Sequence, residues 1–157
     1  MCPLKGRVVS ISAVNIFLVE DDDGHATLVQ KNLQRAGIAN TFVRLNDGQE
    51  ALDYIRARVH EPNGLDNAVI LLDLNMPRLG GVEVLEALKE SPATSSLPVI
   101  VLTTTDDPRE IERCYELGCN VYVTKPVEYD AFVEAIRRLG LFLQVVKLPS
   151  NPVRNDG

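Results

Sequence analysis

An unbroken apolar run, Ala68-Val-Ile-Leu-Leu, stops at Asp73 and passes at once into Leu-Asn-Met-Pro-Arg-Leu-Gly-Gly. The run does not alternate, so it suits a strand covered on both faces, the setting of an inner strand in a parallel sheet. Only the carboxyl end of such a strand is open, and there it delivers one carboxylate. Three other segments share this design. Ile16-Phe-Leu-Val-Glu-Asp-Asp-Asp23 ends in acids, Pro98-Val-Ile-Val-Leu-Thr103 ends in a hydroxyl, and Val121-Tyr-Val-Thr delivers Lys125-Pro126. Open α/β sheets bind ligands outside the carboxyl ends of their strands. A carboxylate nucleophile, spare acids for a cation, a hydroxyl and an ammonium would meet there. Such a set suits receipt of a phosphoryl group.

Amphipathic segments separate the runs. Leu28, Val29, Leu33 and Ala36 recur at helical spacing before Gly37, and Ala51, Leu52 and Ile55 do so within residues 49–58. Val82, Leu85 and Leu88 mark a third helix, and Pro108 and Gly118 bracket a fourth. Thr41-Phe-Val-Arg-Leu45 reads as a further strand, residues 60–67 as a polar loop with Pro62 and Gly64, and residues 128–146 as a long last helix. This is the alternation of βα units around a parallel sheet. A chain of 157 residues fits one such domain, expected over residues 14–146, with an N-terminal extension (1–13) and a Pro-containing tail (147–157).

The net charge of −6 speaks against nucleic acid as a partner, which calls for a basic face. Cys2, Cys114 and Cys119 are odd in number and lack metal-ligand spacing, so they read as small apolar thiols in a reducing compartment. No run reaches the roughly 18 apolar residues of a membrane span. The opening residues lack a small-residue cleavage site, so the expected location is the cytoplasm.

Glu20, Asp21, Asp22 and Asp23 follow the first strand, and Asp73 follows the third. If these strands are neighbours the carboxylates converge. Like charges about 4 Å apart repel by roughly 4 kcal/mol at an effective dielectric near 20. A hard divalent cation relieves that, and Mg²⁺ fits best, being held by one or two carboxylates, waters and phosphate oxygens.

Val19-Glu-Asp-Asp22, Leu71-Leu-Asp-Leu-Asn-Met-Pro77 with Gly81, Pro98-Val-Ile-Val-Leu-Thr103 and Tyr122-Val-Thr-Lys-Pro126, in this order and spacing, resemble the receiver domain of two-component response regulators. The resemblance implies a flavodoxin-like (βα)5 fold: a doubly wound, five-stranded parallel sheet in strand order 2-1-3-4-5. It implies Asp73 as phosphoacceptor, with Glu20, Asp21, Asp73 and the backbone carbonyl of Asn75 holding Mg²⁺. Thr103 would move to bond the phosphoryl group, Lys125 would pair with it, and the Lys125–Pro126 bond would be cis. Tyr122 would be the switch aromatic that turns inward when Thr103 moves. The chemistry would be self-catalysed phosphoryl transfer and dephosphorylation only, not that of a separate enzyme. Thr104 adds bulk beside the switch threonine, while Asn75 and Thr105 stand where the family tunes phosphoaspartate lifetime. His25 and His60 lack the helical context of a kinase phosphodonor and read as surface histidines.

No residues follow Gly157 to bind DNA or catalyse a reaction, so the expected output is a binding surface. Phe132, Ala135, Ile136, Leu139, Leu143 and Val146 give the last helix one apolar stripe. Leu141, Val145 and Leu148 give it a second, which points to a partner, expected to be another copy of the chain. Chain length, the 60–67 loop and the closing segment are similar to small regulators paired with bacterial phytochromes. That narrower resemblance implies a sensor histidine kinase, a bacteriophytochrome, as phosphodonor. A chemotaxis-type messenger acting on a motor remains open. An aspartate-nucleophile phosphatase would want an acid where Asn75 stands, and a flavin binder would want a Ser/Thr/Gly-rich loop in place of the acids after the first strand.

Overall fold

The computed structural model describes residues 14–145. The N-terminal extension, the tail, Cys2, Val146 and Leu148 lie outside the described residues. Five strands alternate with five helices: β1 (Val14–Val19), α1 (Asp23–Arg35), β2 (Ala39–Leu45), α2 (Gly48–Val59), β3 (Ala68–Leu72), α3 (Gly81–Glu90), β4 (Val99–Thr103), α4 (Pro108–Leu117), β5 (Val121–Thr124) and α5 (Tyr129–Val145). The sheet is parallel throughout, in the order β2-β1-β3-β4-β5. The expected doubly wound, flavodoxin-like receiver fold is the one observed.

Helix boundaries follow from capping chemistry. Asp22, Asp47 and Asp107 sit before α1, α2 and α4, and each carboxylate accepts a backbone N–H of the first turn. Pro108 opens α4, and Gly118 closes it at φ 111°, a left-handed geometry that glycine adopts without strain.

Two apolar layers cover the sheet. One packs Phe17, Val19, Ile70, Leu72, Val99 and Val101 against α2, α3 and the buried Cys114 and Cys119. The other packs Ile16, Leu18, Val69, Leu71, Ile100 and Leu102 against α1 and α5. All five residues of β3 are buried, which is why its sequence does not alternate. In α3 the buried positions are Gly81, Val84, Leu85 and Leu88, with the expected Val82 only half-buried. Gly140 lets α5 approach α1 closely, since a Cβ there would stand 2.8 Å from Ile38 Cδ1.

One expectation is corrected. No peptide bond among the described residues is cis, so Lys125–Pro126 is trans. Trans is the lower-energy form of an X–Pro bond by about 0.5–1 kcal/mol. Here it follows directly on the ladder, where Lys125 N donates to Thr103 O at 2.6 Å. No helix among the described residues is long and apolar enough to cross a membrane.

Candidate functional site

The strand order places the ends of β1, β3, β4 and β5 side by side, and the residues singled out above gather there. Asp73 follows β3 directly, and its N–H donates to Val19 O at 3.0 Å, which ties the residue to the end of β1. Asp73 Oδ1 accepts from Asn75 N at 3.2 Å, and Oδ2 faces Lys125 Nζ at 3.4 Å. Glu20 Oε1 accepts from Lys125 Nζ at 2.5 Å, and Oε2 accepts from Asp22 N at 3.2 Å. Glu20 and the Lys125 side chain are almost wholly buried, whereas Asp21 is exposed.

One carboxylate oxygen each from Glu20, Asp21 and Asp73 lies within 4.8 Å of the others. These all-oxygen, hard donors suit a divalent cation of the Mg²⁺ type, and exposed Asp21 leaves the group open to solvent. Three carboxylates face a single ammonium, so the cluster is short of positive charge. Burial pushes the Glu20 carboxyl up to about 7, against the opposing pull of Lys125. A cation would offset that penalty, and the residues fit one.

Thr103 closes β4 and is fully buried. Asn75 Nδ2 reaches Thr105 Oγ1 at 3.0 Å and lies 3.4 Å from both Thr103 Oγ1 and Thr104 Oγ1. An amide has two N–H bonds, so at most two of these contacts are full hydrogen bonds at once. The Tyr122 hydroxyl donates to Thr105 O at 2.6 Å, and burial raises its pKa to about 12. Tyr122 N donates to the hydroxyl of Tyr115 on α4 at 3.0 Å. The threonine loop is thus held by Asn75 from one side and Tyr122 from the other.

Two contributors were not anticipated from sequence. Arg44, at the end of β2, donates from Nε to Glu20 O at 3.0 Å and pairs through Nη1 with Asp23 at 2.6 Å, so it pins the acidic loop. His25 is not simply a surface residue, because its Nδ1 lies 3.1 Å from Lys125 Nζ. His60 is exposed at the opposite end of the sheet, after α2. Leu141 and Val145 are exposed on α5 as expected, and they are joined by Phe142, which had not been foreseen.

The response regulator receiver domain model matches residues 16–137. This chain belongs to that family. The receiver domain is 46% identical to one from Rhodospirillum rubrum whose structure superposes with a TM-score of 0.80, covering 88% of this chain and 99% of that one. Response regulator Rcp1 of Synechocystis is 34% identical over 86% of this chain and 92% of its own length. The Mn²⁺-bound structure of Rcp1 superposes with a TM-score of 0.77, covering 88% of this chain and 99% of that one. The bacteriophytochrome response regulator AtBRR is 41% identical, with a TM-score of 0.63 over 83% of this chain and 94% of that one. The receiver described here is therefore a two-component response regulator domain related to phytochrome response regulators.

Proposed function

We infer that this receiver accepts a phosphoryl group from a histidine kinase on Asp73 and signals through a surface that responds to the modification. The observation that carries the reading is the buried Lys125 ammonium facing Glu20 and Asp73 beside the exposed Asp21. In the reaction an Asp73 carboxylate oxygen forms a bond to phosphorus as the phosphorus–nitrogen bond of the kinase phosphohistidine breaks. The leaving imidazole keeps the electron pair. Lys125 lies where it can turn one N–H toward a phosphoryl oxygen, and Thr103 supplies a hydroxyl from the next strand. Glu20, Asp21, Asp73 and the Asn75 carbonyl would hold Mg²⁺, which when bound supplies positive charge to the phosphoryl oxygens. Hydrolysis of the phosphoaspartate by water returns the carboxylate.

Tyr122 and Thr103 would report the change, since Tyr122 already bonds the loop that follows Thr103. The similarity to AtBRR favours a bacteriophytochrome kinase as donor. The exposed Leu141, Phe142 and Val145 favour a homodimer through α5.

Asp73→Asn is the decisive variant. Wild type incubated with Mg²⁺ and a small phosphodonor should gain a base-labile label, and Asp73→Asn should gain none. A label that persists in the variant would overturn the assignment, and sustained turnover of phosphoesters would favour a phosphatase instead.

A further inference from the structure

The Lys125 ammonium has three N–H bonds and can only donate. Three acceptors surround it, ranked by distance: Glu20 Oε1 at 2.5 Å, His25 Nδ1 at 3.1 Å and Asp73 Oδ2 at 3.4 Å. Since an ammonium cannot accept, a hydrogen bond at this contact requires a bare His25 Nδ1, with the ring proton on Nε2.

The ring is located from two directions. His25 N donates to the α1 cap, Asp22 Oδ1, at 2.9 Å. The imidazole also packs edge-on to Phe132, with centroids 5.3 Å apart and planes at 85°. Phe132 is itself buried in the layer beneath α5. His25 thus bridges α1, α5 and the lysine at the end of β5.

We propose that His25 is a positioning residue for Lys125, occupying one donor so that the nucleophile is only loosely held. The inference rests on Asp73 being the phosphoacceptor. Charge-assisted N–H···O bonds run at about 2.7–2.9 Å, so the Asp73 contact at 3.4 Å is slack. A carboxylate about to share its electron pair with phosphorus gains from that slackness, and the same N–H can swing to an arriving phosphoryl oxygen. Without an acceptor at position 25, one donor is left without a partner on a side chain that is 1% exposed to water. The accessible lone pairs within reach are on Asp73 and Glu20. The ammonium then settles onto the nucleophile, and transfer slows.

Two substitutions separate the acceptor from the ring. Asparagine places its Oδ1 the same number of bonds from Cα as the histidine Nδ1 but has no ring for Phe132. Phenylalanine keeps the ring and removes the acceptor. The test follows the initial rate at which the full chain is labelled by acetyl phosphate with Mg²⁺, alongside thermal melting. His25→Asn should stay within about threefold of wild type. His25→Phe should be slower by about tenfold, the scale of losing a hydrogen bond to a charged group. Equal rates for His25→Phe and wild type overturn the proposal, as does equal slowing of both variants, which would mark a packing role. Wild type that takes no label sinks the phosphoacceptor reading and this one with it. Nitrogen NMR of the wild-type imidazole gives a reading independent of how the variants fold. The Nε2–H tautomer at mildly alkaline pH supports the proposal, and the Nδ1–H tautomer overturns it.

Discussion

At the residue scale, a proton and a bound cation would compete for the Glu20 carboxylate. Burial raises this carboxyl from 4.5 to about 7, so the folded protein keeps a proton that a solvated glutamate would have released. Mg²⁺ affinity should therefore fall as pH drops below about 7, by up to roughly tenfold per pH unit. Calorimetric titration at pH 6 and pH 8 checks this, and equal affinities would remove Glu20 from the metal-binding set. The linkage also fixes the sign for stability. The metal-free fold should lose stability as pH rises from about 4.5 to about 7, because the charged form of Glu20 is the one burial penalises, and added Mg²⁺ should restore it. Arg44→Met removes the anchor on Glu20 O and Asp23, so its Mg²⁺ dissociation constant should rise several-fold while Asp73 stays intact. Neither Arg44 nor His25 stands out in the sequence. Arg44 is one charge inside a strand, and it reaches the acidic loop only because β2 pairs with β1. His25 meets Lys125 across 100 positions of chain, a distance only topology closes.

At the element scale, the site depends on how closely α3 begins behind β3. A Cβ on Gly81 would lie 2.3 Å from the Asp73 carbonyl oxygen, which is backbone and cannot step aside without moving Asp73 itself. Gly81→Ala should cost about 1–3 kcal/mol, the range for forced overpacking, and should slow labelling of Asp73 as well. Urea denaturation with parallel labelling checks both effects, and an unchanged midpoint would show that the loop gives way freely. The elements themselves were largely legible, because apolar runs mark strands and aspartate or proline marks helix starts. The boundaries less so: β1 starts at Val14 rather than Ile16 and β2 at Ala39 rather than Thr41, since pairing with neighbours extends strands past their apolar centres. The exposed Phe142 escaped notice because it sits between two positions already assigned to opposite faces of α5.

At the scale of the molecule, α5 both closes the domain and offers a surface. Val121, Val123, Ala135, Leu139 and Phe142 line a groove of about 300 Å³ that continues the exposed stripe. Sedimentation at micromolar concentration should show a dimer, and Leu141→Asp with Val145→Asp should give a folded monomer. A wild type that sediments as a monomer with and without beryllofluoride would leave the stripe to another partner. The place of β3 carries a different consequence. It lies between β1 and β4 with both faces covered, so water reaches its backbone only when the whole domain opens. Amide hydrogens of residues 69–72 should be among the last to exchange with deuterium, at the rate of global unfolding. The carboxylate whose covalent state would change thus hangs from the part of the fold least able to breathe. Whatever news it receives must leave through side chains and loops around a strand that stays still.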